Sequence, residues 1–219
     1  MSLSEFLSPV FEWGLSKMTL QLGVLVSGNG TNLQAILDAI EGGQLDAEVR
    51  LVVSDQPQAF ALKRAEKHRI PTAVVVRKDF TDRPSFEKKI LDLLKDQGVR
   101  CVVLAGFMRL LSPQFIGAYP QRIVNIHPAL LPAFPGLEAI RQAFDYGSPV
   151  TGVTVHFVDE GCDTGPIIAQ RAIEVDPKDT LESLSERIHR VEHELYPQVL
   201  QWISEGRVKV EGRKVVIQK

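Results

Sequence analysis

From residue 20 onward the chain repeats one pattern: a short, continuous apolar run, a turn, then a stretch with helical spacing. The runs Leu22–Val26, Val49–Ser54, Ala73–Val76 and Val99–Ala105 are rich in Val and Leu and lack polar alternation. A strand wetted on one face alternates apolar and polar residues, so runs without that alternation need cover on both faces. Helical patterns over Leu33–Ile40, Ala59–His68 and Arg83–Gln97 separate the runs and supply the cover. Such strand–helix–strand spacing predicts right-handed crossovers and a mostly parallel sheet.

After Ala105 the grammar changes. Arg122–His127 reads as a fifth strand running into a segment punctuated by Pro128, Pro132 and Pro135, followed by a helix over Gly136–Tyr146. Thr151–Val158 alternates Val153, Val155 and Phe157 against Thr154, His156 and Val158, as an antiparallel strand with unlike faces does. A loop, Asp159–Gly165, joins it to a strand over Pro166–Val175. A helix over Thr180–Glu205 is capped by Asp179 or Thr180, carries Glu182 in its first turn, and is expected to kink at Pro197. A hairpin over Val208–Val210 and Val215–Ile217 closes the chain. The predicted fold is α/β: a Rossmann-like, mostly parallel central sheet in the N-terminal half, extended by antiparallel strands in the C-terminal half. Residues 1–19 are read as an N-terminal extension, with Met18 an alternative start, and residues 20–219 as a single domain.

Composition excludes several functions. The 219 residues carry 25 Lys and Arg against 27 Asp and Glu, too balanced for a dedicated nucleic-acid binder. Cys101 and Cys162, the two cysteines, make no disulfide framework and no zinc cluster. The longest apolar stretch, Cys101–Met108, is far too short to span a bilayer. Pro9, Glu12 and Gly14 break up any signal-peptide pattern. The expectation is a cytoplasmic protein acting on small molecules, without metal, nucleic acid or membrane, as a monomer or homodimer.

Five segments have residues suited to chemistry. Ser27-Gly-Asn-Gly-Thr-Asn32 joins strand to helix, where glycines admit close backbone approach and helix N–H groups attract an anion. It lacks the Lys of a phosphate-binding P-loop and the third glycine of a dinucleotide fingerprint, so a plain turn is the alternative. Asn125 and His127 share one face at the end of the fifth strand, where ligands sit in open parallel sheets. An amide and an imidazole together suit an oxygen gaining negative charge, although a lone strand-end histidine is as a rule structural. Asp163, in the 159–165 loop, would favour the imidazolium if it folded back onto His127. His156 either lines the same cleft or is a buried structural histidine. Leu104–Leu111 offers Phe107, Met108 and Leu111 either to a flat heteroaromatic ligand or to the core. His189 and His193, at i and i+4, lack the Glu of a zinc-protease motif and a third ligand, so metal catalysis is rejected there.

Together, Ser27-Gly-Asn-Gly-Thr-Asn-Leu-Gln-Ala35, Leu104-Ala-Gly-Phe-Met-Arg109, Asn125-Ile-His-Pro-Ala-Leu-Leu-Pro132, Gly152–Val158 with Asp163-Thr-Gly-Pro166, and Glu192-His193 before Tyr196-Pro197 resemble the folate-dependent formyltransferases. The Ser27–Asn32 loop narrows the resemblance to the phosphoribosylglycinamide formyltransferases of purine biosynthesis. It runs from about Leu20 to the C-terminus. The resemblance implies that Gly30, Thr31 and Asn32 bind the ribonucleotide phosphate and Glu192 the ribose hydroxyls. Arg83, Met108, Arg109, Leu110, Leu111 and Asn125 would hold 10-formyltetrahydrofolate, with Val158–Asp163 closing over the pteridine. Asn125, His127 and Asp163 would be catalytic, with Cys162 a bystander. His189 falls where that family would carry a lysine or glutamine. The rivals are a formyltetrahydrofolate hydrolase, which shares the three residues, and a non-catalytic anion-binding module. A methionyl-tRNA formyltransferase is set aside, since it would need an added basic C-terminal domain.

Overall fold

The computed structural model describes residues 19–219, so the expected extension lies, apart from Thr19, outside the described residues. The first half runs β1 (Leu20–Val26), α1 (Thr31–Glu41), β2 (Ala47–Ser54), α2 (Phe60–Lys67), β3 (Thr72–Val74), a 3-10 turn (Arg77–Asp79), α3 (Arg83–Asp96) and β4 (Cys101–Leu104). The second half runs α4 (Pro113–Ala118), β5 (Ile123–His127), α5 (Ala139–Tyr146), β6 (Val150–Phe157), β7 (Ile167–Glu174), α6 (Leu181–Ser204), β8 (Val208–Glu211) and β9 (Lys214–Ile217). One seven-stranded sheet has the order β3-β2-β1-β4-β5-β6-β7, and β8 pairs with β9 apart from it. The pairs from β3 to β5 are parallel, while β5–β6 and β6–β7 are antiparallel.

Three of the four unalternated apolar runs become strands covered on both faces; the fourth, Ala73–Val76, contributes to the edge strand β3, where Val74 is exposed. Leu22, Val24 and Val26 of β1 join Cys101 and Val103 of β4 in a core that includes Leu33 and Ile36 of α1 and Leu195 and Val199 of α6. Leu25, Val102 and Leu104 point the other way, into a core with Phe86, Ile90 and Leu94 of α3 and Phe115. Each fully buried Leu or Ile of these layers contributes roughly 1.5–3 kcal/mol relative to exposure.

Two local differences from the expectation have physical reasons. Helix α4 is too short to show periodicity, but its start is written in Ser112-Pro113: the Ser112 hydroxyl accepts from the Phe115 N–H at 3.2 Å. Helix α5 begins at Ala139 rather than Gly136, because Gly136 (φ 85°) and Glu138 (φ 56°) are left-handed. Helix α6 spans Leu181–Ser204 with Pro197 inside it, and its start, as expected at Thr180, is a capping box in which Thr180 and Ser183 exchange side-chain-to-backbone bonds.

Candidate active site

The cleft opens where the topology reverses. β1 and β4 are neighbours, but the chain leaves β1 toward β2 and leaves β4 toward β5, so their C-terminal loops part. Two bonds tie these loops at the root: Ser27 N–H donates to the Gly106 carbonyl (3.1 Å) and Met108 N–H to the Ser27 hydroxyl (3.2 Å). From there a cleft of about 610 Å³ crosses the end of β5 to the 159–163 loop.

The centre of the cleft holds the three residues expected to be catalytic. β5 carries Asn125 and His127 on one face, and antiparallel β6 sets His156 opposite Asn125 and Thr154 opposite His127. The following loop returns Asp163. Its shape is set by Asp159, whose Oδ1 accepts from Gly161 N–H (3.1 Å) and the Thr164 hydroxyl (2.6 Å). Gly165 is required because a Cβ there would run into the Phe157 carbonyl. Asp163 Oδ2 lies 3.4 Å from His127 Nδ1 and accepts from Gly136 N–H at 2.8 Å. Its Oδ1 lies 3.4 Å from Asn125 Nδ2 and 3.6 Å from His156 Nε2.

Tautomers follow from the partners. His127 Nε2 is 2.8 Å from the Phe134 carbonyl, which can only accept, so Nε2 carries a hydrogen and Nδ1 faces Asp163. His156 Nδ1 likewise donates to the Phe157 carbonyl (2.7 Å), and its Nε2 lies between Asn125 Nδ2 (3.1 Å) and Asp163 Oδ1 (3.6 Å). Burial works to raise the Asp163 pKa, but His156, the Gly136 N–H and the charge of His127 outweigh it and hold the carboxyl at about 2. Asp163 is therefore ionised at neutral pH. The Cys162 thiol, 3.7 Å from Asp163 Oδ2, is pushed up by burial and by that carboxylate, the reverse of what a nucleophilic cysteine needs.

The Ser27–Asn32 turn lies outside the lining of this cleft and meets it at the root, through Ser27, as one end of the candidate site. Gly30 (φ 75°) is the N-cap of α1 and offers no side chain, so side chains leave the first-turn N–H groups unmet. A Cβ on Gly30 would come within 2.5 Å of Ala61 Cβ, so only glycine lets α2 pack here. From α2, Arg64 donates to the Asn29 carbonyl and to Asn29 Oδ1, each at 2.9 Å, fixing the turn. Tyr196, fully buried, directs its hydroxyl between the Leu104 (3.0 Å) and Val124 (2.9 Å) carbonyls and so docks α6 on the ends of β4 and β5. One turn earlier Glu192 is buried, with Asn32 Nδ2 (3.2 Å) and His189 Nδ1 (2.9 Å) both on its Oε2. Asn32 Oδ1 is buried without a hydrogen-bond partner. The hydrogen bond to Glu192 raises the His189 pKa, against the opposing effect of burial.

The other end is the mouth formed by residues 106–111. Met108 and Leu110 are exposed, while Phe107 and Leu111 tuck into the core, so both readings of this segment hold for different residues. Arg83 does not line the cleft: it donates to Glu87 and to the Leu110 carbonyl, each at 2.7 Å. Buried Glu87 also accepts from the Ser112 N–H and hydroxyl, so α3 holds the lip of the mouth. Arg109 lines the cleft with its Nε 2.6 Å from the buried Asp55 carboxylate. Sequence reasoning did not find the Phe134 carbonyl or the Gly136 N–H, because backbone groups have no residue signature. It also passed over Asp55 and Glu87, single acids whose partners lie far along the chain.

The sequence matches the family described as "Formyl transferase" over residues 20–200, and the chain belongs to that family. Within it, the chain is similar to phosphoribosylglycinamide formyltransferase of Bacillus subtilis, 47% identical over 180 residues (82% of this chain, 92% of the relative). Glycinamide ribonucleotide transformylase 1 of Symbiobacterium toebii superposes with TM-score 0.90 at 45% identity, covering 93% of this chain and 96% of its own. A formyltetrahydrofolate deformylase of Pseudomonas syringae pv. tomato superposes with TM-score 0.86 at 28% identity, covering 92% of this chain and 67% of its own.

Proposed function

We propose that the chain transfers the formyl group of 10-formyltetrahydrofolate to the amine of glycinamide ribonucleotide, a step of purine biosynthesis and one-carbon metabolism in the cytoplasm, with residues 20–219 as the catalytic domain. The observation that carries the reading is the convergence of Asn125 and His127, neighbours on β5, with Asp163 from a loop 36 residues further on, at one gap in the cleft. The family's chemistry calls for such a group: an amide donor, an imidazolium and a carboxylate about one carbonyl.

The ribonucleotide phosphate sits on the N–H groups of Gly30, Thr31 and Asn32, assisted by the α1 dipole. Glu192 accepts from the ribose hydroxyls, and protonated His189 adds positive charge beside it. The folate lies over exposed Met108 and Leu110, with Leu111 packed beneath them, Arg109 toward its acidic end and Arg83 acting through the Leu110 carbonyl. The Val158–Asp163 loop covers the pteridine.

The amine nitrogen attacks the formyl carbon, and the carbonyl π pair moves onto oxygen. Asn125 Nδ2 turns from its long contact with Asp163 to that oxygen, and His127 presents an Nδ1–H. A donor of this kind lowers the barrier by roughly 2.7–4 kcal/mol in other enzymes. Collapse of the intermediate breaks the bond to the folate nitrogen. The proton lost by the amine passes, through water held by Asp163, to that nitrogen. No covalent nucleophile is needed.

Release of tetrahydrofolate from 10-formyltetrahydrofolate, followed with and without glycinamide ribonucleotide, tests the assignment. Release only with the ribonucleotide is expected. Release without it identifies a hydrolase, and no release under either condition a binding module.

A further inference from the structure

The His127 ring is fixed by an uncharged backbone group, and that group is held in an unfavourable conformation. Phe134 is left-handed (φ 51°), carries a bulky side chain and precedes Pro135. A residue before proline favours extended backbone, and a large side chain at positive φ costs about 1 kcal/mol or more, so the surroundings must impose this geometry. Two contacts near the cleft accompany it: His127 Nε2–H on the Phe134 carbonyl, and Gly136 N–H on Asp163. A third faces away from the chemistry. The Phe134 ring packs edge-on against Tyr146 at the end of α5, with centroids 5.7 Å apart and planes at 64°. Tyr146 is 80% exposed, so it contributes little to the core.

We propose that Phe134, braced by Tyr146, is a positioning residue that holds a hydrogen on His127 Nε2 and so reserves Nδ1, opposite Asp163, for the second proton, the one the imidazolium presents to the formyl oxygen. The inference rests on His127 acting in formyl transfer. If the Phe134 carbonyl drifts, neutral His127 is free to place its hydrogen on Nδ1 instead, where Asp163 binds it and Nε2 becomes an acceptor. The ring would then present Nδ1–H only as a neutral donor, without the imidazolium charge that an Nε2–H on the Phe134 carbonyl supports.

The test uses the full chain with ¹⁵N-labelled histidine. The His127 resonances, identified against His127→Ala, report the tautomer of the neutral ring without any substrate. In the wild type the expected state is Nε2–H. In Tyr146→Ala the tautomers mix, and kcat falls about tenfold, a part of the hundredfold that an ångström of misplacement can cost. Both KM values stay within about twofold, since neither substrate subsite is touched. Tyr146→Phe, which keeps the ring, restores the wild-type tautomer and rate. An Nδ1–H ring in the wild type, or an unchanged kcat in Tyr146→Ala, overturns the proposal. Retained transfer in His127→Ala instead overturns the parent reading, so the two failures are distinguishable.

Discussion

At the Asn125–His127–Asp163 centre the polar atoms are already partnered with one another, whereas at the Asn32–Glu192 end the protein leaves polar groups waiting. Asn125 Nδ2 is shared by His156 and Asp163, and both His127 nitrogens face acceptors. By contrast, Asn32 Oδ1 has no partner and side chains leave the N-terminus of α1 uncapped. A saturated cluster must exchange partners to engage a reacting carbonyl, so its contribution appears in the transition state. An unsaturated end gains hydrogen bonds on binding and contributes to affinity. Mutations at the two ends should therefore divide between kcat and KM.

The largest effects belong to the centre. Asn125→Ala and Asp163→Ala should each lower kcat by about a hundredfold or more, as loss of a transition-state donor or its charge partner does elsewhere. Ribonucleotide and folate KM should change little, in steady-state assays that vary each substrate in turn. A loss confined to KM would erase the contrast between the two ends. Next comes Asn32→Ala, expected to raise the ribonucleotide KM about tenfold, the cost of one or two lost hydrogen bonds, while the folate KM stays within about twofold. Equal changes in both would show that the Gly30–Asn32 turn does not define a separate subsite.

Two smaller effects depend on pH. Because Glu192 raises the His189 pKa, the ring is charged below that pKa and loses its charge as pH rises through it. Ribonucleotide KM should climb over that interval in the wild type and stay flatter in His189→Gln. The Asp163 carboxyl, held at about 2 in the fold from an ordinary 3.8, stabilises the folded state fully above about pH 5 and loses that contribution as pH falls toward 2. The melting temperature of the wild type relative to Asp163→Asn should thus fall between pH 5 and pH 2. A constant offset would mean that the contacts of Asp163 do not favour its charge. Cys162→Ser should change neither kcat nor KM measurably, given the thiol's raised pKa.

The sheet was legible because burial on both faces writes itself into Val/Leu runs; β1, β2, β4 and β5 follow directly from Leu22–Val26, Val49–Ser54, Val99–Ala105 and Arg122–His127. The proximity of Asn125 and His127 followed from strand alternation. Asp163 needed the resemblance, since a loop residue 36 positions beyond His127 has no periodicity to place it. What stayed hidden is what depends on three dimensions: the Phe134 carbonyl, the pairing of Arg83 with Glu87 and Arg109 with Asp55, and the packing of Phe107 and Leu111 beneath exposed Met108 and Leu110. Strain at Phe134 and Glu138 conflicts with local preference, so sequence rules mislead most where the chain wraps the cleft.

The central claim is that His127 acts on the reacting carbonyl rather than on either substrate's affinity. Single-turnover formyl transfer by His127→Ala, with both substrates saturating and their binding measured by calorimetry, tests it directly. Binding is expected within about threefold of wild type, with a rate at least a hundredfold lower. Wild-type transfer by that variant, or a defect removed by raising substrate concentration, would contradict it.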